Sequence, residues 1–288
     1  MPPGLVPAAV PDPVALRIPG LSRALSLRVH GDEDRYISRQ IRAAGIWEPY
    51  ETTLVLASLQ AGDVFLDVGA NIGYYSVLAA SRVGVEGAVL AFEPDPGNFR
   101  LLAENLQLND CAGVVTAFEA GLADKTRPGQ LYLSEDNAGD HQIFAAAAGR
   151  RELPITLYHG ADFLRARLSR LDLLKVDVQG AEYAVMSGLI PLLLDLPRLP
   201  RIILELTPLS LRQAGSSGRA LIELLATLGQ PLWIIDHIEH RLAACTREEL
   251  AQWCDNVDTV EGDMGFMNIL AGPAVPGARL GGGDRIHS

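Results

Sequence analysis

Cysteine is scarce in this 288-residue chain, and its three copies, Cys111, Cys245 and Cys254, are odd in number and share no metal-binding spacing. A reduced, cytoplasmic setting fits that better than a secreted disulfide scaffold. Basic residues are few as well: 24 Lys and Arg stand against 35 Asp and Glu, a formal net charge of −11. The only adjacent basic pair is Arg150-Arg151, so there is no stripe to follow a phosphate backbone, and no nucleic-acid partner is expected. Long apolar runs are also missing. The most apolar segment, Ala184 to Leu194, is interrupted by Ser, Gly and Pro and is too short to span a bilayer, so no membrane partner is expected. The first basic residue is Arg17, and prolines at 2, 3, 7, 11 and 13 break the opening, which does not read as a signal peptide.

What the chain does have is 48% hydrophobic residues, enough for one sizeable core, in an alternation of short β-rich runs with helical stretches. Strands are expected at Val64–Asp67, Ala88–Glu93, Val114–Glu119, Leu171–Asp177, Arg201–Leu206, Leu232–Asp236 and Phe266–Leu270. Helices are expected near Gly73–Arg82, Pro96–Leu108, Ala181–Leu194 and Gly218–Leu228. The fold class is therefore α/β: a Rossmann-like, seven-stranded, mostly parallel sheet with helices on both faces. Residues 1–59 read as a Pro-rich arm and helical extension, 60–272 as the main domain, and 273–288 as a disordered tail. The alternation breaks at about 129–156, an insertion whose polar loop Glu135–Gln142 is placed to form part of a substrate wall or lid.

The sharpest motif is the run Val64 to Tyr75, VFLDVGANIGYY. A strand ends in Asp67, and Gly69 and Gly73 bracket a turn into a helix, where a backbone without Cβ can bend sharply and admit a ligand closely. Gly-x-x-x-Gly differs from the Gly-x-Gly-x-x-Gly turn that closes on a dinucleotide pyrophosphate. With Asp67 and Asn71 it suits the ammonium, carboxylate and sulfonium tail of S-adenosylmethionine better. The next strand ends in Glu93, 24 positions after Gly69, where a carboxylate can accept from ribose hydroxyls. Asp95 and Pro96 then cap and open a helix. After the third strand, Gly121 lies in a small-residue run, Glu119 to Asp124, that could leave a slot for adenine.

From about Gly45 to Pro208 the chain resembles the FkbM-type family of S-adenosylmethionine-dependent methyltransferases. The resemblance rests on Gly45-Ile-Trp-Glu-Pro49, the Asp67 to Tyr75 run, Glu93-Pro-Asp95, the segment Asp136 to His141, and Lys175-Val-Asp-Val-Gln-Gly-Ala-Glu182. It implies the class I methyltransferase fold, S-adenosylmethionine as cofactor, and cofactor contacts from Asp67, Gly69, Asn71, Gly73 and Glu93. Several members act on hydroxyls of natural products and sugars, which makes a small-molecule hydroxyl the expected acceptor. Where many relatives have an acid before Gly-Ala-Glu, this chain has Gln179.

Methyl transfer needs an acceptor held in line, water excluded, and help in removing a proton. In open α/β sheets such groups stand at the carboxyl ends of strands. Asp177 ends the fourth strand and is the first catalytic candidate; Glu205 ends the fifth. Glu182, in the first turn of the next helix, could equally cap that helix. His141, in the insertion beside Asp140 and near Asp136, is the second catalytic candidate, a general base suited to neutral pH. His237 and His240, with Glu239, invite a metal reading, but no strand-end acid pair accompanies them, so no metal is expected. Trp47 and Tyr50 could pack over the cofactor entrance or serve the core. The rivals are an N-methyltransferase, an NAD(P)-dependent oxidoreductase and a catalytically silent scaffold. The Tyr-x-x-x-Lys pair of hydride-transfer enzymes, the Asn/Asp-Pro-Pro-Tyr run of nucleic-acid amino methylases and a Pro-Cys nucleophile are all missing.

Overall fold

The computed structural model describes residues 12–21, 23–32, 34–134, 141–143, 151–260 and 262–281. Short strands β1 (Val14–Ala15) and β2 (Ser26–Leu27) pair antiparallel, followed by α1 (Ile37–Ala44) and α2 (Pro49–Ser58). The alternating core then runs β3 (Val64–Val68), α3 (Tyr74–Val83), β4 (Ala88–Phe92), α4 (Pro96–Leu108) and β5 (Val115–Phe118). A side sheet follows from β6 (Gly121–Ala123), β7 (Arg127–Tyr132) and β8 (Glu152–His159). The chain returns through α5 (Gly160–Leu164), β9 (Leu173–Val176), α6 (Glu182–Asp195), β10 (Arg201–Leu206), α7 (Pro208–Gln213) and α8 (Gly218–Ala226). It closes with β11 (Leu232–Asp236), β12 (Arg241–Cys245), α9 (Arg247–Thr259), β13 (Met267–Ala271) and β14 (Leu280–Gly281). No helix among the described residues is long and apolar enough to cross a membrane.

The main sheet has the order β14-β12-β11-β13-β10-β9-β3-β4-β5. Five adjacent strands, β10-β9-β3-β4-β5, pair parallel, and β13 lies antiparallel between β10 and β11. The seven expected strands are all present. The count rises to nine because β12 returns from β11 as a hairpin and β14 pairs with β12. Alternation along the buried strands divides the core by face. Leu66, Val68, Phe92, Leu174 and Val176 pack under α6, α8 and α9, whereas Phe65, Val89, Ala91, Leu173 and Ile203 pack under α2, α3 and the N-terminal segment.

Two expected boundaries move. The extension before residue 60 shares one core with the sheet: Leu25, Leu27, Ile41 and Leu54 are buried in the same cluster as Phe65 and Leu78. The tail is ordered to Gly281, because Val275 is buried against that cluster and Leu280 pairs with Leu242. Residues 282–288 lie outside the described residues, as do Asp136 and Asp140 of the insertion loop.

Candidate functional site

The carboxyl ends of β3, β4, β9 and β10 open into one crevice of about 980 Å³. Its first half is built by the β3–α3 turn. The amides of Gly69 and Ala70 both donate to the Phe92 carbonyl at 2.9 Å, and the Asn71 amide donates to Glu93 Oε2 at 2.8 Å. The turn is thereby tied to the end of β4. Gly69 has φ +86°, and a Cβ there would lie 1.9 Å from the Asp177 carbonyl oxygen, so this position tolerates only glycine. Glu93 Oε1 accepts from the Asp95 amide at 2.9 Å. Burial pushes its carboxyl up to about 8, against the pull of the Asp95 and Asn71 amides.

Several expected cofactor contacts separate on the structure. Gly69, Asn71 and Glu93 line the crevice; Asp67, Gly73 and Gly121 do not. Asp67 is buried behind the turn, accepting from Ser76 Oγ at 2.6 Å, with its carboxyl pushed up to about 6 by burial. It holds α3 onto β3. Gly73 makes room for Leu102, whose Cδ1 would be 2.5 Å from a Cβ. Gly121 pairs with Leu157 in the side sheet and makes room for that side chain, which accounts for a small residue there without an adenine slot.

The second half of the crevice is a charged floor. Lys175 occupies the same sheet face as Asp67 and is almost wholly buried, with Nζ 2.9 Å from Asp177 Oδ2, 3.5 Å from Glu51 Oε1 and 4.7 Å from the centre of the Tyr75 ring. Burial by itself would draw its pKa down. The carboxylates of Asp177, Glu51 and Glu48 overcome this and hold it well above the usual lysine value. One lysine cannot neutralise all its neighbours. Glu48, which accepts from Tyr75 Oη at 2.8 Å, is pushed up to about 7 by burial and then by Glu51. Glu205 is pushed well above the usual carboxylate range by burial and then by Asp177. Gln179 Nε2 bridges Asp177 Oδ1 at 3.0 Å and Glu205 Oε1 at 3.1 Å. An amide joins two carboxyls here that an acid would repel.

Asp177 and His141 both line the crevice. His141 Nδ1 accepts from the Ser134 amide at 3.1 Å. Glu182 does not line the crevice: it is buried, and its carboxylate accepts from the amides of Val178 and Gly180, in the turn before α6, at 2.9–3.1 Å. Trp47 lines the crevice, while Tyr50 is buried and stacked on His240 with ring centres 5.3 Å apart.

Sequence reasoning missed Glu48 and Glu51. Glu51 shares the buried face of α2 with Leu54, Val55 and Ser58, and an acid on an apolar helix face was the available signal. Glu48 stands just before Pro49 in a left-handed conformation, φ 41°. Asn71 at φ 50° and Gln179 at φ 51° share this uncommon geometry, and all three line the crevice, in keeping with backbone strain held at working sites. Glu48, Glu51 and His237 each offer a ligand atom within 4.8 Å of the others and could hold a metal ion. Burial holds His237 below the usual histidine value, so its ring is neutral and able to ligate. A divalent ion there would compete with the Lys175 ammonium for Glu51.

The sheet order β5-β4-β3-β9-β10-β13-β11, with one antiparallel strand inserted and a glycine turn facing a strand-end acid, defines a Rossmann-like class I methyltransferase fold. Residues 67–232, more than half of the chain, match the model of the methyltransferase FkbM domain, and the chain belongs to that family. It is 30% identical over 165 residues to Methyltransferase sdnD of Sordaria araneosa, covering 46% of this chain and 62% of that one. It is 28% identical over 178 residues to 31-O-demethyl-FK506 methyltransferase FkbM of Streptomyces tacrolimicus, covering 51% and 66%. Hexuronic acid methyltransferase AglP of Haloferax volcanii is 25% identical over 191 residues, covering 63% and 75%. Among solved structures, Methyltransferase FkbM from Methylobacillus flagellatus overlaps with a TM-score of 0.44 at 13% identity, covering 75% of this chain and 47% of that one. The match thus spans less than two thirds of sdnD.

S-adenosylmethionine is the cofactor of this fold and family, and the residues present fit it. The bare backbone at Gly69 and the Glu93 carboxylate face the same crevice. Glu93 accepts from the Asn71 and Asp95 amides and from the Asn98 side chain, and a carboxylate's four lone-pair sites leave room for a ribose hydroxyl.

Proposed function

We propose that the protein transfers a methyl group from S-adenosylmethionine to a hydroxyl oxygen of a small molecule. The observation that carries this reading is the continuity of the crevice, in which the cofactor turn and the charged floor are two halves of one cavity. When bound, the cofactor supplies an electrophilic methyl group that an oxygen displaces in line from the sulfonium. Gly69, Asn71 and Glu93 hold the cofactor. Asp177, fixed between Lys175 and Gln179, orients the acceptor hydroxyl and takes its proton as the new C–O bond forms. His141, on the wall of the same crevice, is the second candidate to assist deprotonation. Lys175 holds Asp177 in place through the 2.9 Å contact of its Nζ with Oδ2, and the buried floor excludes water.

The relatives named for FK506 demethyl precursors and for hexuronic acid support a small-molecule acceptor. The test is transfer of labelled methyl from S-adenosylmethionine into a panel of alcohols and amines, read as ether or methylamine by mass spectrometry. Ether products, with Asp177→Asn turnover down by about 10²-fold or more and S-adenosylhomocysteine affinity little changed, support the reading. Methylamine products alone, or an Asp177→Asn variant as fast as the parent, overturn it.

A further inference from the structure

One face of α4 carries three asparagines, Asn98, Asn105 and Asn109, with Leu102 between them. Spacings of seven and four place them in one row along the helix, and all three are buried. A buried amide costs free energy unless its donors and acceptors are paired. Asn105 and Asn109 find their partners in the backbone of an extended segment about eighty positions earlier. In an extended chain the N–H and C=O of one residue point to the same edge, and those of the next residue point away. The Ser26 amide donates to Asn109 Oδ1 at 3.0 Å, and the Ser26 carbonyl accepts from Asn109 Nδ2 at 2.7 Å. The Arg28 amide donates to Asn105 Oδ1 at 2.6 Å, and its carbonyl accepts from Asn105 Nδ2 at 2.9 Å. Two side-chain amides thus serve this segment as a neighbouring strand would. The row ends at His30, whose Nε2 lies 2.6 Å from Asn98 Oδ1.

Asn105 reaches further. Its Nδ2 also donates to the Ile72 carbonyl at 2.8 Å, inside the β3–α3 turn. The near end of that turn is tied to β4 through the Phe92 carbonyl and Glu93. The bond from Asn105 holds its far end, where Gly73 packs on Leu102 of the same α4 face. Gly69, Asn71 and Gly73 all have positive φ, a shape that persists only where its surroundings over-determine it. On the other side of Asn105, the extended segment leads into the crevice wall: Tyr36, Ile37, Trp47 and Glu48 line the cavity, as does Ile72. One carboxamide therefore joins the turn to the chain that walls the crevice, and that chain precedes the matched residues 67–232.

We propose that Asn105 is a positioning residue that couples the cofactor turn to the N-terminal segment, so that binding at the turn and docking of residues 26–30 favour each other. This rests on the turn holding the cofactor and adds a second element to that site. Without Asn105, the Ile72 carbonyl regains a partner only where the turn shifts toward water. An orphaned buried carbonyl biases the turn against its binding shape by roughly tenfold, and affinity falls by the same factor. The coupling is reciprocal: a ligand that fixes the turn holds the segment down as strongly as the segment favours the ligand.

The experiment is hydrogen exchange with and without saturating S-adenosylhomocysteine, read by mass spectrometry on peptides spanning residues 24–30 and 69–75. It is run on the parent, Asn105→Ala and Asn109→Ala, beside calorimetric titration of each. In the parent, the ligand should slow exchange at the turn and also, by at least about threefold, at 24–30, which does not line the crevice. Asn105→Ala should bind about tenfold more weakly and lose the protection at 24–30. Asn109→Ala breaks a rung of the same kind without a bond to the turn, and should bind within about threefold of the parent. A purely structural role would weaken both variants alike. Protection at the turn with none at 24–30 in the parent overturns the inference, and this measurement stands even where Asn105→Ala fails to fold. Asn105→Ala binding as tightly as Asn109→Ala overturns it as well. No protection at the turn in the parent overturns instead the assignment of that turn to the cofactor.

Discussion

If Glu93 holds the cofactor ribose as proposed, cofactor binding depends on pH. Burial raises its carboxyl to about 8, so near neutrality the empty site holds it mostly protonated. A ribose hydroxyl donating to Glu93 favours the ionised form, so binding must release a proton, and affinity must rise with pH until Glu93 is ionised beforehand. With that pKa, the ionised fraction grows about tenfold between pH 7 and pH 9, and S-adenosylhomocysteine affinity should grow by the same factor. Glu93→Gln removes the titration. It also turns an NH₂ group toward one of the two backbone amides, of Asn71 or Asp95, that the carboxylate accepts. That loss falls on the fold in free and bound protein alike; for binding, the ribose hydroxyl meets a neutral acceptor in place of a charged one, a loss of about 1–1.5 kcal/mol, or roughly 5- to 10-fold in affinity at pH 9. The assay is titration calorimetry at pH 7, 8 and 9 in buffers of different ionisation enthalpy, which counts the protons released. The ligand's own amino group titrates alike in both proteins and cancels in the comparison. A parent affinity flat from pH 7 to 9, or a Glu93→Gln variant within about threefold of the parent at pH 9, would refute the reasoning.

Lys175→Met should destabilise the fold by about 3–5 kcal/mol in urea titration, because it strands Glu51 and Asp177 without their buried cation; a loss below about 1 kcal/mol would show that the floor does not depend on the ion pair. The folded-state pKa values of Glu48 and Glu182, about 7, and of Glu93, about 8, lie above their unfolded values. Their contribution to stability is therefore complete below about pH 4.5 and is lost as pH rises through 7 to 8, so the melting temperature of the empty protein should fall between pH 6 and pH 9. A melting temperature that rises over that window contradicts these assignments. Gly69→Ala, which sets a Cβ against the Asp177 carbonyl oxygen at positive φ, should abolish S-adenosylhomocysteine binding and lower the melting temperature; calorimetry and thermal melts check both.

The half of the crevice proposed for the cofactor was foreseen in part because its residues lie close together in sequence. A strand, a glycine turn and a strand-end acid lie within about thirty residues, and Gly69, Asn71 and Glu93 reach the crevice as their spacing implies. Asp67 and Gly73 belong to the same motif yet support the turn from behind, a distinction of facing that linear spacing does not carry. The acceptor half was illegible for the opposite reason. Lys175 meets Glu51 across more than a hundred positions of sequence, and Asn268 donates to Glu51 at 2.6 Å from the far end of the chain. Their polar character in apolar elements was visible; their partners were not. Edge elements escaped too: β12 and β14 are short and mixed in composition, and they are strands because β11 gives them a ladder to join.

Titration of the purified chain with S-adenosylhomocysteine, with NAD and NADP as controls, tests the central claim that this crevice is a methyl-donor site. The account predicts micromolar binding of S-adenosylhomocysteine and none of either dinucleotide. Binding of NAD or NADP in its place, or no binding of S-adenosylhomocysteine across pH 7 to 9, would contradict it.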